Sequence, residues 1–146
     1  MSIDDNKALA RRFIQVWMPG NLGLVDELAT SDITVTYPVL GGPLRGVEAF
    51  KQVIAHFYES LPDLEFSVQE EIAQEDKVAI RWRATATHRG ELLGIPPTGK
   101  SLTWTGITIY RLTGGRVAEE PGEGDAFGVM RQLGVIPAPA QAAALA

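Results

Sequence analysis

The titratable side chains with the greatest capacity for chemistry lie in two segments of the chain. His88 ends a run of alternating residues and precedes a loop, residues 89–100, that contains two prolines. Glu120 and Asp125 lie in a second segment that is rich in carboxylates. Carboxyl and imidazole groups are well suited to moving protons in general acid–base catalysis. We therefore expect any chemistry to take place between these two segments.

Strand alternation predicts which of these side chains face the interior. Residues 77–88, 101–112 and 116–120 have the composition of β-strands, in which every second side chain points to the same face. Burial beside aromatic rings would raise the pKa of Glu120 toward the range of a useful acid or base. The positions predicted to share the inward face include Trp82, His88, Trp104, Thr108, Tyr110, Ala118, Glu120 and Gly122.

We assign candidate roles from this expected geometry. Glu120 is the first candidate acid or base, and His88 is its expected partner or a hydrogen-bond donor to an enolate oxygen. Asp125 is the third candidate catalytic residue. The candidate substrate-binding residues are Trp17, Tyr37, Trp82, Trp104, Thr108 and Tyr110.

Each of these assignments has a purely structural alternative. His88 can hold the adjacent loop through a backbone hydrogen bond, and Asp125 precedes a short helix that it can cap, which contributes about 1 kcal/mol. The acidic residues around Glu120 can form a solvated strand edge, and Pro121 can shift the alternation by a β-bulge. The tryptophans can belong to the hydrophobic core, because the inward face of the sheet forms both the core and the wall of any pocket.

Apolar periodicity predicts helices before a run of strands, which indicates an α+β fold. We expect a curved mixed or antiparallel sheet wrapped around three N-terminal helices, in the shape of a cone with an internal cavity. One domain is expected over residues 1–136, followed by an Ala/Pro-rich tail over 137–146. The predicted helices are 4–18, 22–29, 47–60 and 126–133, and the predicted strands are 33–37, 65–72, 77–88, 101–112 and 116–120.

The opposite face of the sheet is too mixed in polarity for a core. It carries Arg81 and Arg83 on one strand and Ile107 and Ile109 on the next. Such a mixture suits a contact between two sheets, so we expect a homodimer through this outer face.

Composition excludes several classes of function. The formal charge of -5 and pI near 5.0 disfavour nucleic acid and anionic membranes as partners. No stretch approaches the roughly 20 apolar residues of a membrane span, and the lack of cysteine fits a cytoplasmic protein. His56 and His88 have no metal-ligand spacing, so we expect no metal.

Several motifs together give the chain a family resemblance. They are residues 87–90 (THRG), 94–99 (GIPPTG), 109–112 (IYRL), 115–117 (GRV) and 131–134 (RQLG). This pattern resembles the SnoaL-like polyketide (ester) cyclases, within the cone-shaped α+β superfamily of ketosteroid isomerase, limonene epoxide hydrolase and nuclear transport factor. The resemblance implies a small hydrophobic ligand and a cofactor-free intramolecular aldol cyclisation.

The chain departs from that family at its proton-transfer positions. The catalytic carboxylate of the cyclases falls on Gly122, and two of their histidines fall on Thr108 and Glu120. We therefore expect cofactor-independent acid–base catalysis on a hydrophobic carbonyl compound, by cyclisation or a related isomerisation. The alternatives are a non-catalytic binder of a small apolar ligand and an epoxide-hydrolase-like hydrolase.

Overall fold

The computed structural model describes residues 1–137, which form helices packed on one sheet. The predicted tail at 137–146 lies, beyond its first residue, outside the described residues. The helices are α1 (Ile3–Phe13), α2 (Gly23–Leu28), α3 (Val47–Ser60) and α4 (Ala126–Gln132), with short 3-10 turns at Ile14–Trp17 and Pro38–Leu40. The strands are β1 (Ala29–Thr36), β2 (Leu44–Arg45), β3 (Glu65–Gln74), β4 (Lys77–Thr87), β5 (Ser101–Thr113) and β6 (Arg116–Gly124).

The six strands form one mixed sheet in the order β2-β1-β6-β5-β4-β3. β1 and β6 run parallel, and every other neighbouring pair is antiparallel. The predicted α+β class with a curved sheet is therefore confirmed. β2 was not predicted, because two residues are too few to show an alternation.

The first predicted helix is divided in the structure. The Ser2 hydroxyl caps α1 by accepting a hydrogen bond from the Asp5 backbone, and the Asp5 carboxylate accepts one from the Ser2 backbone N–H. After Phe13 the chain tightens into the 3-10 turn that ends at Trp17, whose side chain is buried. This turn brings Trp17 under the sheet. None of the helices within residues 1–137 has the length and apolarity to cross a bilayer.

The core lies between the helices and the inner face of the sheet. Every second residue of β4 from Val78 to Ala86 is buried, as the alternation predicted. Phe13 of α1 and Phe50 of α3 pack with Tyr110 of β5 in this layer, and all three are fully buried. The outer face, with Ile107 and Ile109, is open to solvent.

A β-bulge in β6 lies at Ala118 and not at Pro121. The pairing with β5 is constant from Gly106 opposite Gly124 to Arg111 opposite Glu119, and it shifts by one residue before Leu112 pairs with Val117. Glu120 and Gly122 therefore keep the same parity on both sides of Pro121. Glu120 points inward as expected and is fully buried.

Phe50→Ala should lower the free energy of unfolding by about 3–5 kcal/mol, because the core cannot close around the lost ring. Phe127→Ala is the matched control, since Phe127 is 60% exposed on α4 and its loss should cost about 0.5 kcal/mol or less. Urea unfolding of both variants measures the difference. Equal losses would contradict the assigned core.

Candidate active site

The inside of the cone contains a cavity of about 160 Å³ with an aromatic wall. Its rings come from six different segments of the chain, and several meet edge to face: Trp17 lies 5.9 Å from Tyr37 and 5.5 Å from Phe57, centroid to centroid. Leu40, Leu93 and Val129 contribute aliphatic surface. The aromatic residues that line the cavity are Trp17, Tyr37, Phe57, Phe66, Trp82 and Trp104.

A network of buried polar groups adjoins this cavity. Oε2 of Glu120 accepts hydrogen bonds from Nε1 of Trp17 at 3.1 Å and from the hydroxyl of Tyr37 at 2.8 Å. The Tyr37 hydroxyl is also 2.8 Å from Oγ1 of Thr108, which accepts from Nε1 of Trp82 at 3.0 Å. Three residues of the cavity wall thus direct their polar atoms to Glu120 and Thr108.

Burial controls the protonation of this network. Loss of solvation raises the pKa of Glu120 to about 8, although the hydrogen bonds from Tyr37 and Trp17 favour the carboxylate and lower it. Glu120 is therefore mostly a neutral acid at pH 7. Burial, with the nearby Glu120 charge as a second cause, also raises the pKa of Tyr37 and of Tyr110 well above the usual tyrosine value.

The Glu120 carboxyl group does not itself line the cavity. Its two hydrogen-bond donors, Trp17 and Tyr37, line the cavity instead. Among residues 1–137, the second carboxyl oxygen of Glu120 and the hydroxyl of Tyr110 have no hydrogen-bond partner. Contact between Glu120 and a ligand therefore passes through Tyr37 or Trp17.

The neighbouring Glu119 shows how strongly parity separates these carboxylates. Its side chain is 46% exposed and forms an ion pair with Arg111 at 3.2 Å. Glu119 points to the outer face, where water solvates its charge. The alternation thus distinguishes two adjacent glutamates, and the acidic-edge alternative applies to Glu119 and not to Glu120.

His88 is buried, but the structure places it far from Glu120. Ile80 of β4 lies opposite Thr108 of the network, and His88 follows the end of β4 eight residues further on, a distance of roughly 26 Å in an extended chain. Nδ1 of His88 accepts from the Thr98 backbone at 3.2 Å and lies 2.9 Å from its hydroxyl. The expected partnership of His88 with Glu120 is not formed, because the two lie at opposite ends of the sheet.

Asp125 adopts the helix-capping geometry. Its Oδ1 accepts from the Gly128 backbone at 2.9 Å at the start of α4, and the residue is exposed. Asp125 lines a groove on the outer side of the sheet and not the internal cavity. The capping alternative therefore accounts for its position.

The predicted substrate-binding residues divide into two groups. Trp17, Tyr37, Trp82 and Trp104 line the cavity, whereas Thr108 and Tyr110 are fully buried outside its wall. Sequence reasoning did not select Phe57 and Phe66. The helical spacing of α3 could have identified Phe57, and the alternation of β3 could have identified Phe66.

Within residues 1–137, no cluster of three or more histidine, aspartate or glutamate side chains is arranged to hold a metal ion.

The fold places the protein in a known structural class. A protein from Catenulispora acidiphila with a ketosteroid isomerase-like fold superposes with a TM-score of 0.74, at 15% identity, over 86% of this chain and 92% of that one. This similarity establishes the fold alone. The class is the cone-shaped α+β fold of ketosteroid isomerase and nuclear transport factor.

Within that class the chain belongs to the SnoaL-like polyketide cyclase family, whose family model matches residues 7–133. A proposed polyketide cyclase from Acidithiobacillus ferrooxidans is 30% identical, with a TM-score of 0.81 over 92% of this chain and 99% of that one. AclR from Streptomyces galilaeus, a proposed hydroxylase, is 26% identical, with a TM-score of 0.84 over 99% and 89%. A search of curated proteins found no match.

The buried Glu120 predicts a specific dependence of stability on pH. Its pKa in the folded protein, about 8, lies above its ordinary value of 4.5, so the folded state binds the proton more tightly. The stability that the protonated Glu120 contributes should be fully present below that ordinary value and should be lost as pH rises to about 8, by on the order of a few kcal/mol. Urea unfolding at several pH values measures this slope.

E120Q should lack this part of the pH dependence, whereas E119Q should keep it, because Glu119 is half exposed. The difference between the variants removes the contribution of all other titrating groups. Parallel stability curves for wild type and E120Q between pH 5 and 8 would show that Glu120 is not held as a neutral acid.

Proposed function

We propose that this protein encloses a hydrophobic carbonyl compound in the cone and catalyses a cofactor-independent proton transfer that leads to cyclisation or isomerisation. One observation carries the proposal: Glu120, a fully buried acid with a pKa near 8, is hydrogen-bonded to Tyr37, which lines the cavity. A titratable group near neutral pH that is linked to an aromatic pocket is suited to general acid–base catalysis.

Tyr37 is the proposed path for the proton. When Glu120 is ionised, the proton on the substrate α-carbon passes to the Tyr37 oxygen while the Tyr37 proton passes to Oε2 of Glu120. The electron pair of the broken C–H bond remains on the substrate as an enolate. In a cyclisation the enolate carbon bonds to a second carbonyl carbon of the same molecule, and the resulting alkoxide takes the proton back along the same path.

The surroundings of Tyr37 support this role. Thr108 holds the phenol oxygen at 2.8 Å, and Trp82 in turn donates to Thr108, so the hydroxyl has a fixed position. The pKa of Tyr37 lies well above the usual tyrosine value because of burial, so Tyr37 relays a proton and does not store charge. The aromatic lining lowers the local polarity, which strengthens electrostatic interactions in the site.

A non-catalytic binder is the second candidate, and one observation favours it. Gly122, where the family resemblance places the catalytic carboxylate, has no side chain, and Glu120 lies outside the cavity wall. In this alternative the polar network only holds the aromatic walls in place. An epoxide-hydrolase-like reaction is not favoured, because the lining residues include neither aspartate nor arginine.

Solvent exchange of α-protons tests catalysis without knowledge of the natural substrate. The probes are hydrophobic aryl 1,3-diketones and aryl β-keto esters in D₂O, followed by proton NMR. The wild type should accelerate the exchange increasingly as pH rises to about 8. E120Q and Y37F should lose roughly 100-fold or more, as expected for a missing general acid or base, whereas E119Q should retain the rate.

Binding is measured separately by fluorescence, since the three tryptophans of the chain all line the cavity. Probes that quench fluorescence without exchange would establish a binder instead of an enzyme. Unchanged exchange in E120Q would remove the assigned role of Glu120. Product masses that gain an oxygen atom would indicate the hydroxylase chemistry proposed for AclR.

We also propose that two copies of the chain pair through the outer face of the sheet. Ile107 and Ile109 of β5 are 49% and 46% exposed there, and both line a groove of about 1020 Å³ with Arg81. Adjacent exposed isoleucines on a broad sheet face favour contact with a similar surface.

Light scattering should therefore give a dimer mass for the wild type and a monomer mass for the double variant I107K/I109K. I3K is the control, because Ile3 is also exposed, at 41%, but lies on α1 in the helical layer. A monomeric wild type would contradict the proposed dimer. A double variant that stays dimeric would place the contact elsewhere.

A further inference from the structure

The ring of Tyr37 occupies the space that a side chain at position 122 would need. A Cβ atom built on Gly122 would lie 2.3 Å from Cε1 of Tyr37 and 2.8 Å from Oγ1 of Thr108. Both distances are shorter than real Cβ contacts. Only a residue without a side chain therefore allows Tyr37 and Thr108 their observed positions.

Tyr37 has little freedom to move away from such a side chain. Pro38 follows it and restricts its backbone to extended conformations, and Tyr37 is extended at φ -132 and ψ 135. Trp17 packs edge to face against its ring at 5.9 Å from another direction. A clash at position 122 would therefore be relieved mainly by rotation of the Tyr37 side chain about its Cα–Cβ bond, which carries the hydroxyl away from Glu120.

We propose that Gly122 is a positioning residue for proton transfer, whose missing side chain allows the Tyr37 hydroxyl to lie between Glu120 and Thr108. The inference deepens the proposed function and rests on it for its catalytic consequence. Its structural part, the dependence of the contact between Tyr37 and Glu120 on Gly122, stands on the geometry alone.

The consequence for the chemistry follows from the hydrogen bonds. The bond from Tyr37 stabilises the Glu120 carboxylate, so its loss leaves only Trp17 as a donor to that group. Glu120 would then ionise at a higher pH, and its link to the cavity through Tyr37 would be broken. A change at position 122 should thus act on the protonation of Glu120 through the position of Tyr37.

Gly124 provides a matched control on the same strand and face. A Cβ there would lie 3.4 Å from Cη2 of Trp82, which is ordinary contact distance. G122A and G124A therefore make the same chemical change two residues apart, with a clash expected in only the first. Neither glycine has a positive φ, so backbone strain is equal in the comparison.

The Trp17 indole N–H reports the ionisation of Glu120 independently of any activity. It donates to the carboxyl group, and the chain contains only three tryptophans, so ¹⁵N NMR can follow its signal against pH. In G122A the midpoint should move up by about half a pH unit or more, as in Y37F, and the double variant G122A/Y37F should add little. G124A should titrate like the wild type.

The rate of α-proton exchange should fall in the variants in which the Trp17 titration midpoint rises. The exchange rate at saturating probe should fall in G122A about as far as in Y37F, with little change in KM. A wild type without exchange but with the expected Trp17 titrations would remove the proposed function and leave the positioning role of Gly122 intact. Wild-type titration in G122A, or a further full shift in G122A/Y37F, would overturn the inference.

The variant Y37A/G122A covers the case in which G122A does not fold. Without the ring, an alanine at position 122 should lower stability much less than it does beside Tyr37. Urea unfolding of Y37A and Y37A/G122A measures this second comparison. An equal loss in the two backgrounds would show that Gly122 does not act through Tyr37.

Discussion

The site depends on one interaction, the burial of the Glu120 carboxyl group under Trp17 and Tyr37. An ionised carboxylate in an apolar interior is strongly disfavoured, so the group takes up a proton unless donors compensate for the lost water. Two donors to one oxygen compensate in part and leave the pKa near 8. That intermediate value gives the interior a group that changes charge near neutral pH.

The fold brings together three distant parts of the chain at this point. The 3-10 turn after α1 supplies Trp17, the end of β1 supplies Tyr37, and β6 supplies Glu120. The parallel pairing of β1 with β6 places Val35 beside Glu120 and Thr36 beside Pro121, which sets Tyr37 next to Gly122. The cavity and the polar network are thus consequences of the same strand pairing.

Local sequence patterns were sufficient for much of this architecture. The helical periodicity of α3 and the alternation of β4 and β5 are strong local signals, and parity correctly placed Glu120 inside and Glu119 outside. Side-chain contacts between distant segments were not accessible in this way. Parity states the face of a side chain but not its position along the sheet, so it could not separate His88 from Glu120. The contact of Tyr37 with Gly122 joins strands far apart in sequence. The bulge at Ala118 has no characteristic residue pattern that would predict it.

The most direct test of this account is the ionisation of Glu120 itself, observed by ¹³C NMR of the glutamate side-chain carboxyl carbons as a function of pH. The resonance that is absent from E120Q should titrate with a midpoint near 8. A midpoint close to the ordinary glutamate value of 4.5 would show a solvated carboxylate and would contradict the buried neutral acid on which the proposed chemistry depends.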